Sequence, residues 1–242
     1  MILREHQTRV AARNNAEWCD AMCRTHGIPG RFDPDAWVDP RRTPPYYPDA
    51  VTLDPAAVAT SILERIDTTS PGCSIKDSFA TLDLRPFGFR IVSEAEWIYR
   101  EGRSSPGASP SAMRWMALET ADQLVAWESA WDADGANAHL FRPSLLRDPL
   151  VAVLGGYVDG SIVAGAIANR TGDVVGLSNV FTRDDDLEGA WIGSLSYVDT
   201  ALPGLAIVGY ETGDALAMAR RQGFLSLGAL RIWLSGERPF DR

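Results

Sequence analysis

The chain has 242 residues, of which 45% are hydrophobic and 23% charged, and its formal net charge at pH 7 is −9. This length can bury a large core in one domain or in two smaller ones. The acidic balance argues against a nucleic acid partner, because such binding depends on clustered Lys and Arg. No apolar run reaches the roughly 18 residues that cross a membrane, and residues 1–11 lack the apolar core of a secretory signal. We therefore expect a cytoplasmic protein without a membrane partner.

The three cysteines, an odd number, fit a reduced compartment better than a disulfide framework. Apolar spacing predicts a helix over residues 1–27, on which Cys19, Cys23 and His26 share one face. Three such side chains could hold Zn²⁺ with one position open. No fourth cysteine completes the set, however, and buried free cysteines commonly act as small apolar groups. We expect packing here and no metal.

The sequence pattern of residues 1–104 predicts an N-terminal segment that consists of a helix, a loop rich in proline and aromatic residues, and a hairpin. Five prolines interleaved with aromatic rings in residues 31–48 indicate a long loop lying against the protein. A second helix is expected to begin at Asp54-Pro55, and residues 79–84 and 89–99 are expected to pair as a half-buried hairpin. The polar cluster Lys76-Asp77-Ser78, just before this hairpin, could bind an anion, but we expect it to anchor a loop.

Residues 101–112 mark the clearest change in composition. They are small, polar or proline residues, which cannot bury enough surface to offset the entropy of ordering them. We therefore expect a linker here, which separates residues 1–104 from a second domain over residues 113–242.

In the second domain, the spacing of apolar residues predicts strands and helices in a definite order. Its apolar runs from residues 151, 162 and 174 are joined by the turns Asp159-Gly160 and Thr171-Gly172-Asp173, so they predict an antiparallel meander of three strands. Helical spacing then extends from Leu187 to Leu202. The other predicted elements are a strand over 113–118, a helix over 120–131, a strand over 205–208, a helix capped by Asp214 and ended at Gly223, and strands over 224–227 and 230–234.

This order resembles the GNAT superfamily of N-acyltransferases, and the likeness includes the Gly223-Phe224 junction after the last helix. The resemblance implies an α/β (α+β) fold with a mixed, mostly antiparallel twisted sheet flanked by helices. We expect the N-terminal segment, with its helix and hairpin, to be an extension of this fold. The likeness covers about half of the chain.

The resemblance also implies an acyl-CoA site between two splayed central strands. The backbone of Val180 and Phe181 would hold the acyl carbonyl, and Gly189 and Ala190 would offer amides to the pyrophosphate at a helix start. In this sequence Asp186 stands where the family places a basic or amide residue. The aspartates at 184–186 repel a pyrophosphate, and they alternatively serve as N-terminal caps.

Other polar residues near the expected cleft are candidates for substrate chemistry. Glu211 is a candidate general base and Asn179 a candidate for orienting the substrate, with Asn169, Tyr210 and Trp191 as substrate-binding residues. Alternatively, Asn179 satisfies a backbone group at a strand kink and Glu211 is a solvated acid at a helix start. The tyrosine that the family often carries as an acid for the thiolate is replaced by Ala219.

We therefore expect a GNAT-like, acyltransferase-like protein that acts on a small molecule, such as an amine, with acyl-CoA as its donor. Two alternatives use the same fold without CoA. One is a small-molecule binding or regulatory module, and the other is a CoA-independent enzyme of specialised metabolism. The sequence indicates no oligomeric state.

Overall fold

A computed structural model describes residues 2–103 and 113–236. The chain forms two compact units: unit 1 comprises Met1–Trp97 with Leu227–Arg242, and unit 2 comprises Ile98–Ser226. Most of the predicted linker lies outside the described residues, so the division between residues 104 and 113 stays a prediction. Within the described ranges, no helix is both long and apolar enough to cross a membrane.

The helices and strands are numbered in chain order. The helices are α1 (Ile2–Thr25), α2 (Ala59–Leu63), α3 (Ala121–Trp131), α4 (Leu187–Ala201) and α5 (Gly213–Arg221). The strands are β1 (Arg31–Phe32), β2 (Ala36–Val38), β3 (Ala50–Thr52), β4 (Ser74–Asp77), β5 (Phe89–Arg100), β6 (Arg114–Ala117), β7 (Val151–Val158), β8 (Ser161–Thr171), β9 (Val174–Thr182), β10 (Ala206–Glu211) and β11 (Leu225–Ser235).

Unit 1 contains a sheet with the strand order β1-β2-β3-β4-β11-β5. Strand β3 runs parallel to β4, whereas β4 and β11 are antiparallel. The core of this unit is apolar and includes one buried side chain from each of four successive strands of the sheet, Val38, Ala50, Ile75 and Trp233. The short strands β1 and β2 correct the expectation of an irregular proline loop, because they form in the gaps between the prolines.

The predicted hairpin over residues 79–84 and 89–99 is wrong in its first strand. Residues 79–84 form a turn followed by an irregular segment, in which the Asp77 carboxylate accepts hydrogen bonds from the backbone N–H groups of Thr81 and Leu82. Ala80 has a φ of 53°, which is incompatible with a strand. Strand β5 exists as predicted and pairs with β11 instead.

The predicted start of the second helix at Asp54 is also wrong. Its carboxylate accepts from Ala56 N and pairs with Arg9, so it closes a local turn instead of capping a helix. Helix α2 begins only at Ala59, after Val58, which has no side-chain cap.

Unit 2 contains the mixed sheet that the sequence predicts. Its strand order is β5-β10-β9-β8-β7-β6, with β5 contributing its residues from Ile98. Strands β6 to β9 are successively antiparallel, and β10 is parallel to β9. The predicted hairpin turn is confirmed, since Asp159 and Gly160 have φ values of 48° and 80°.

The helices of unit 2 carry the expected ends, with one correction. Thr120 and Gln123 form the capping box of α3, and Gly223 has a φ of 91° after α5. Thr212, not Asp214, is the N-cap residue of α5, and it makes no side-chain cap bond. The two final strands predicted at 224–227 and 230–234 form the single strand β11.

A buried ion pair ties β5 to α4 within unit 2. Arg100 Nη2 lies 2.5 Å from Asp199 Oδ1, and the two side chains are only 4% and 3% exposed. Removing one partner of such a pair leaves an uncompensated charge in a site that water cannot reach.

We predict that Asp199→Ala lowers the free energy of unfolding by about 3–5 kcal/mol, because Arg100 then stays buried without its partner. Denaturant titration followed by tryptophan fluorescence measures the change. The matched control is Asp83→Ala, which breaks the exposed pair with Arg85 and should leave the midpoint unchanged. Equal midpoints for Asp199→Ala and the original chain would contradict the prediction.

Candidate functional site

Two neighbouring parallel strands of unit 2, β9 and β10, stop pairing partway along their length, and we call the region between their unpaired residues the slot. Strands β9 and β10 pair only at their first residues, from Ala206 opposite Val174 to Val208 opposite Gly176. Beyond these positions β9 continues to Thr182 and β10 to Glu211, and no further residue pair joins these two described strands. Beyond Gly176 and Val208 the two strands therefore do not satisfy each other's backbone groups.

A β-bulge accompanies this divergence. The pairing of β8 with β9 shifts between Gly165, which faces Phe181, and Ile167, which faces Ser178. Asn179 lies in the extra segment and has a φ of 53°. A bulge bends its strand and increases the local twist, and Asn tolerates this left-handed conformation better than most residues. The bend therefore lies just beyond Gly176, the last residue of β9 that pairs with β10.

Gly209 permits the close approach of the two strands where they begin to diverge. A Cβ atom at this position would lie 2.8 Å from the carbonyl oxygen of Leu177, which is backbone and cannot swing aside. Sequence reasoning did not select Gly209, although a glycine inside an apolar strand is the usual signal of close backbone approach.

Glu211 ends β10 at the open end of the slot. Its side chain is half-buried, and the described residues give it no hydrogen-bond or salt-bridge partner. Burial alone raises the pKa of this carboxyl from 4.5 to about 7. At neutral pH it therefore exchanges a proton readily, as a general base must. Tyr210 precedes it on the opposite face of the strand.

The N-cap residue of α4, Asp186, hydrogen-bonds to a backbone amide at the start of its own helix. The Asp186 side chain accepts a hydrogen bond of 2.9 Å from Gly189 N, so one of the free amides of this helix end already has a partner. The space beside Gly189 is filled by the Asp186 carboxylate, which a Cβ atom would meet at once. Asp184 and Asp185 are exposed next to it.

The predicted site residues fall into two groups. Asn179, Val180 and Phe181 lie on the diverging part of β9, and Tyr210 and Glu211 lie on the diverging part of β10. The structure therefore brings these five to the two edges of the slot.

The other predicted residues lie elsewhere. Asn169 is 4% exposed and faces Gly176, at the level where β9 and β10 are still paired. Trp191 is 1% exposed in the core of unit 2, edge-on to Phe224 with ring centroids 5.7 Å apart. Ala190 is fully buried beside Met113. None of these side chains reaches the open part of the slot in the described structure.

One further polar atom lies beside the bulge. Ser178 Oγ is buried, and no hydrogen-bond partner for it exists among the described residues. Elsewhere, Cys19 and Cys23 are buried in unit 1. Within the described ranges, no group of three or more His, Cys, Asp or Glu side chains could hold a metal ion.

Comparison with known proteins gives matches in structure but none in sequence. No protein-family profile matches the chain, and no curated protein matches it. Among solved structures, a conserved protein of unknown function from Staphylococcus epidermidis is 15% identical with a TM-score of 0.58. That alignment covers 74% of this chain and 77% of the other.

Two further structures carry a descriptive name. A GCN5-related N-acetyltransferase from Kribbella flavida is 17% identical with a TM-score of 0.63, and the alignment covers 96% of this chain and 97% of that one. A GCN5-related N-acetyltransferase-like protein from Streptococcus suis is 12% identical with a TM-score of 0.53, covering 86% and 81%. At such low identity the likeness concerns the fold. The chain has the fold of the GCN5-related N-acetyltransferases, the GNAT fold.

Proposed function

We propose that unit 2 is an N-acyltransferase that binds an acyl thioester between β9 and β10 and transfers the acyl group to the amine of a small molecule. The divergence of these two strands beside the Asn179 bulge is the observation that supports this function best. An extended thioester arm fits such a gap, because it can take up the backbone hydrogen bonds that the missing strand pairing leaves.

In this proposal Glu211 is the general base. An amine is mostly protonated at neutral pH and must lose a proton before it can attack a carbonyl carbon. A carboxyl with a pKa of about 7 accepts that proton at the open end of the slot. The C–N bond then forms as the C–S bond breaks, and the thiolate that leaves takes up a proton.

The backbone of Val180 and Phe181 is proposed to hold the acyl carbonyl. These residues follow the bulge and lie beyond the part of β9 that pairs with β10, so their backbone borders the slot. Fixed amide donors stabilise negative charge that develops on the carbonyl oxygen during attack. Asn179, on the same edge, is proposed to orient the amine.

The residues at the start of α4 do not fit a pyrophosphate. Asp186 already accepts the Gly189 amide, and the carboxylates of Asp184 and Asp185 repel a doubly charged anion. We therefore propose that coenzyme A contributes to binding mainly through its thioester arm. A small-molecule binding module without CoA is the second candidate function, and this acidic helix start is the observation that favours it.

We predict that acetyl-CoA or a longer acyl-CoA stabilises the chain in a thermal shift assay. A ligand at 100 times its Kd adds about 2.7 kcal/mol to the free energy of unfolding. Free CoA serves as the control for the acyl group. Unchanged melting temperatures with every acyl-CoA would contradict acyl transfer from CoA and favour the binding module.

We predict that the double substitution Asp184→Asn and Asp185→Asn tightens acyl-CoA binding about two- to tenfold at low salt, because two exposed repulsive charges are removed. Isothermal titration calorimetry measures the affinity, and the gain should shrink at high salt as charges are screened. The matched control, Asp134→Asn with Asp173→Asn, removes two exposed charges elsewhere in unit 2. Equal affinities for both double variants would contradict the assigned repulsion.

We predict that kcat/KM for an amine substrate rises with pH through about 7 and then levels off, because Glu211 acts only when deprotonated. Glu211→Gln should lower the rate about 100-fold or more and abolish this rise. A Gln variant that keeps both the rate and the pH profile would exclude Glu211 as the base.

The same substitution has a second readout that does not depend on activity. The folded-state pKa of Glu211 is raised, so its ionisation costs stability as the pH rises from 4.5 to about 7. Glu211→Gln should therefore be more stable than the original chain at pH 8, by about 3 kcal/mol at most, and similar to it near pH 4. Denaturant titration at the two pH values measures the difference.

A further inference from the structure

Unit 1 contains a cavity of about 540 Å³ that the proposed acyl transfer does not use. One face of its sheet forms the floor. Ile232 and Leu234 of β11 are two residues apart, so their side chains stand on this same face. Val92 of β5 adds a third apolar side chain to the lining. The volume lies in the range of typical small-molecule sites.

A loop that we call the proline rim, residues 42–48, forms a wall of the cavity. It contributes three prolines and two tyrosines to the lining, Pro44, Pro45, Pro48, Tyr46 and Tyr47. Thr43 N donates to Asp49 Oδ1 at 3.0 Å, and the Tyr47 ring packs edge-on against Trp18 of α1. The rim is therefore held in place before any ligand arrives, which reduces the entropic cost of binding.

The charged side chains that border the cavity are already committed to protein groups. Among the described lining residues, only Arg42 and Lys76 carry a charge. The Arg42 guanidinium pairs with the Asp49 carboxylate and donates to two backbone carbonyl oxygens, both at 2.7 Å. Lys76 is 3% exposed, and its Nζ donates to Asn15 Oδ1 of α1 at 2.7 Å. A charged ligand would therefore lose hydration here without gaining a free counter-charge, which costs free energy.

The remaining lining is mainly apolar, and part of it is open to water. Tyr46, in the proline rim, is 73% exposed, and Val92 is 43% exposed. Tyr46 also has a φ of 70°, and a strained backbone at a binding wall is a recurrent feature of ligand sites. Covering these side chains with an apolar group releases water and favours binding. Flat aromatic groups suit this wall, because they pack well on tyrosine and proline rings.

We propose that this cavity binds an uncharged small molecule with a flat aromatic ring system. The ring lies between the proline rim, with its Tyr46 side chain, and the apolar floor of Val92, Ile232 and Leu234. This site belongs to unit 1 alone and does not depend on acyl transfer in unit 2.

The test uses isothermal titration calorimetry on the full chain at neutral pH with four probes that share a two-ring skeleton. They are the neutral 2-naphthol, the anion 2-naphthoate, the cation 2-naphthylmethylammonium and the saturated alcohol 2-decalinol. We expect 2-naphthol to bind about tenfold tighter or more than either ion, because the cavity offers no free counter-charge. It should also bind about threefold tighter or more than 2-decalinol, which has no flat aromatic face.

Two variants locate the binding. Val92→Trp places an indole ring in the cavity and should weaken 2-naphthol binding at least about tenfold, whereas Tyr46→Ala removes part of the wall and should weaken it about two- to tenfold. The control, Val125→Trp, changes a similarly exposed valine of α3 and should bind as the original chain does. If circular dichroism shows that one of the first two variants does not fold, the other still decides the outcome.

Four results would each overturn the proposal. They are no binding of 2-naphthol, binding of either ion as tight as that of 2-naphthol, equal affinity for 2-naphthol and 2-decalinol, and an affinity of the folded cavity variants equal to that of Val125→Trp.

Discussion

The incomplete pairing of β9 with β10 is the constraint on which the functional account depends. Two parallel strands that start in register would normally remain hydrogen-bonded, because unpaired backbone groups in a sheet cost free energy. Here the pairing ends after Val208 and Gly176. The positive φ of Asn179 bends one strand, and Gly209 lets the other approach closely before the two separate. The region between the unpaired residues of these two strands is where we propose that the ligand binds.

Two features at or just after the carboxyl ends of β9 and β10 have different electrostatic character. Glu211 is held without a partner among the described residues, and burial raises its pKa into the neutral range. At the start of α4, in contrast, Asp186 satisfies a helix amide that a phosphate could otherwise use. The chain thus keeps a group suited to proton transfer while its helix start disfavours an anion. A GNAT fold with these features is consistent with a thioester donor bound mainly along its arm.

Periodicity and turn chemistry predicted most of unit 2. Asp159-Gly160 supplied the positive φ values of a hairpin, and the spacing from Leu187 to Leu202 gave α4. Unit 1 was harder, because Asp54 and Asp77 bind backbone groups in ways that local patterns do not specify. An Asn inside an apolar strand suggested a kink at Asn179, and Glu211 and Asn179 were candidates by chemistry, but the pattern did not specify that the kink is a bulge in the pairing with β8.

Amide hydrogen exchange across β9 and β10 tests the central claim most directly. The account predicts that an acyl-CoA slows exchange at residues 178–182 and 209–211, because the ligand supplies the bonding that the strands do not give each other. The hairpin of β7 and β8, which is already paired along its length, should change little. Slow exchange at residues 178–182 and 209–211 in the free chain, with no change on adding ligand, would contradict the open slot.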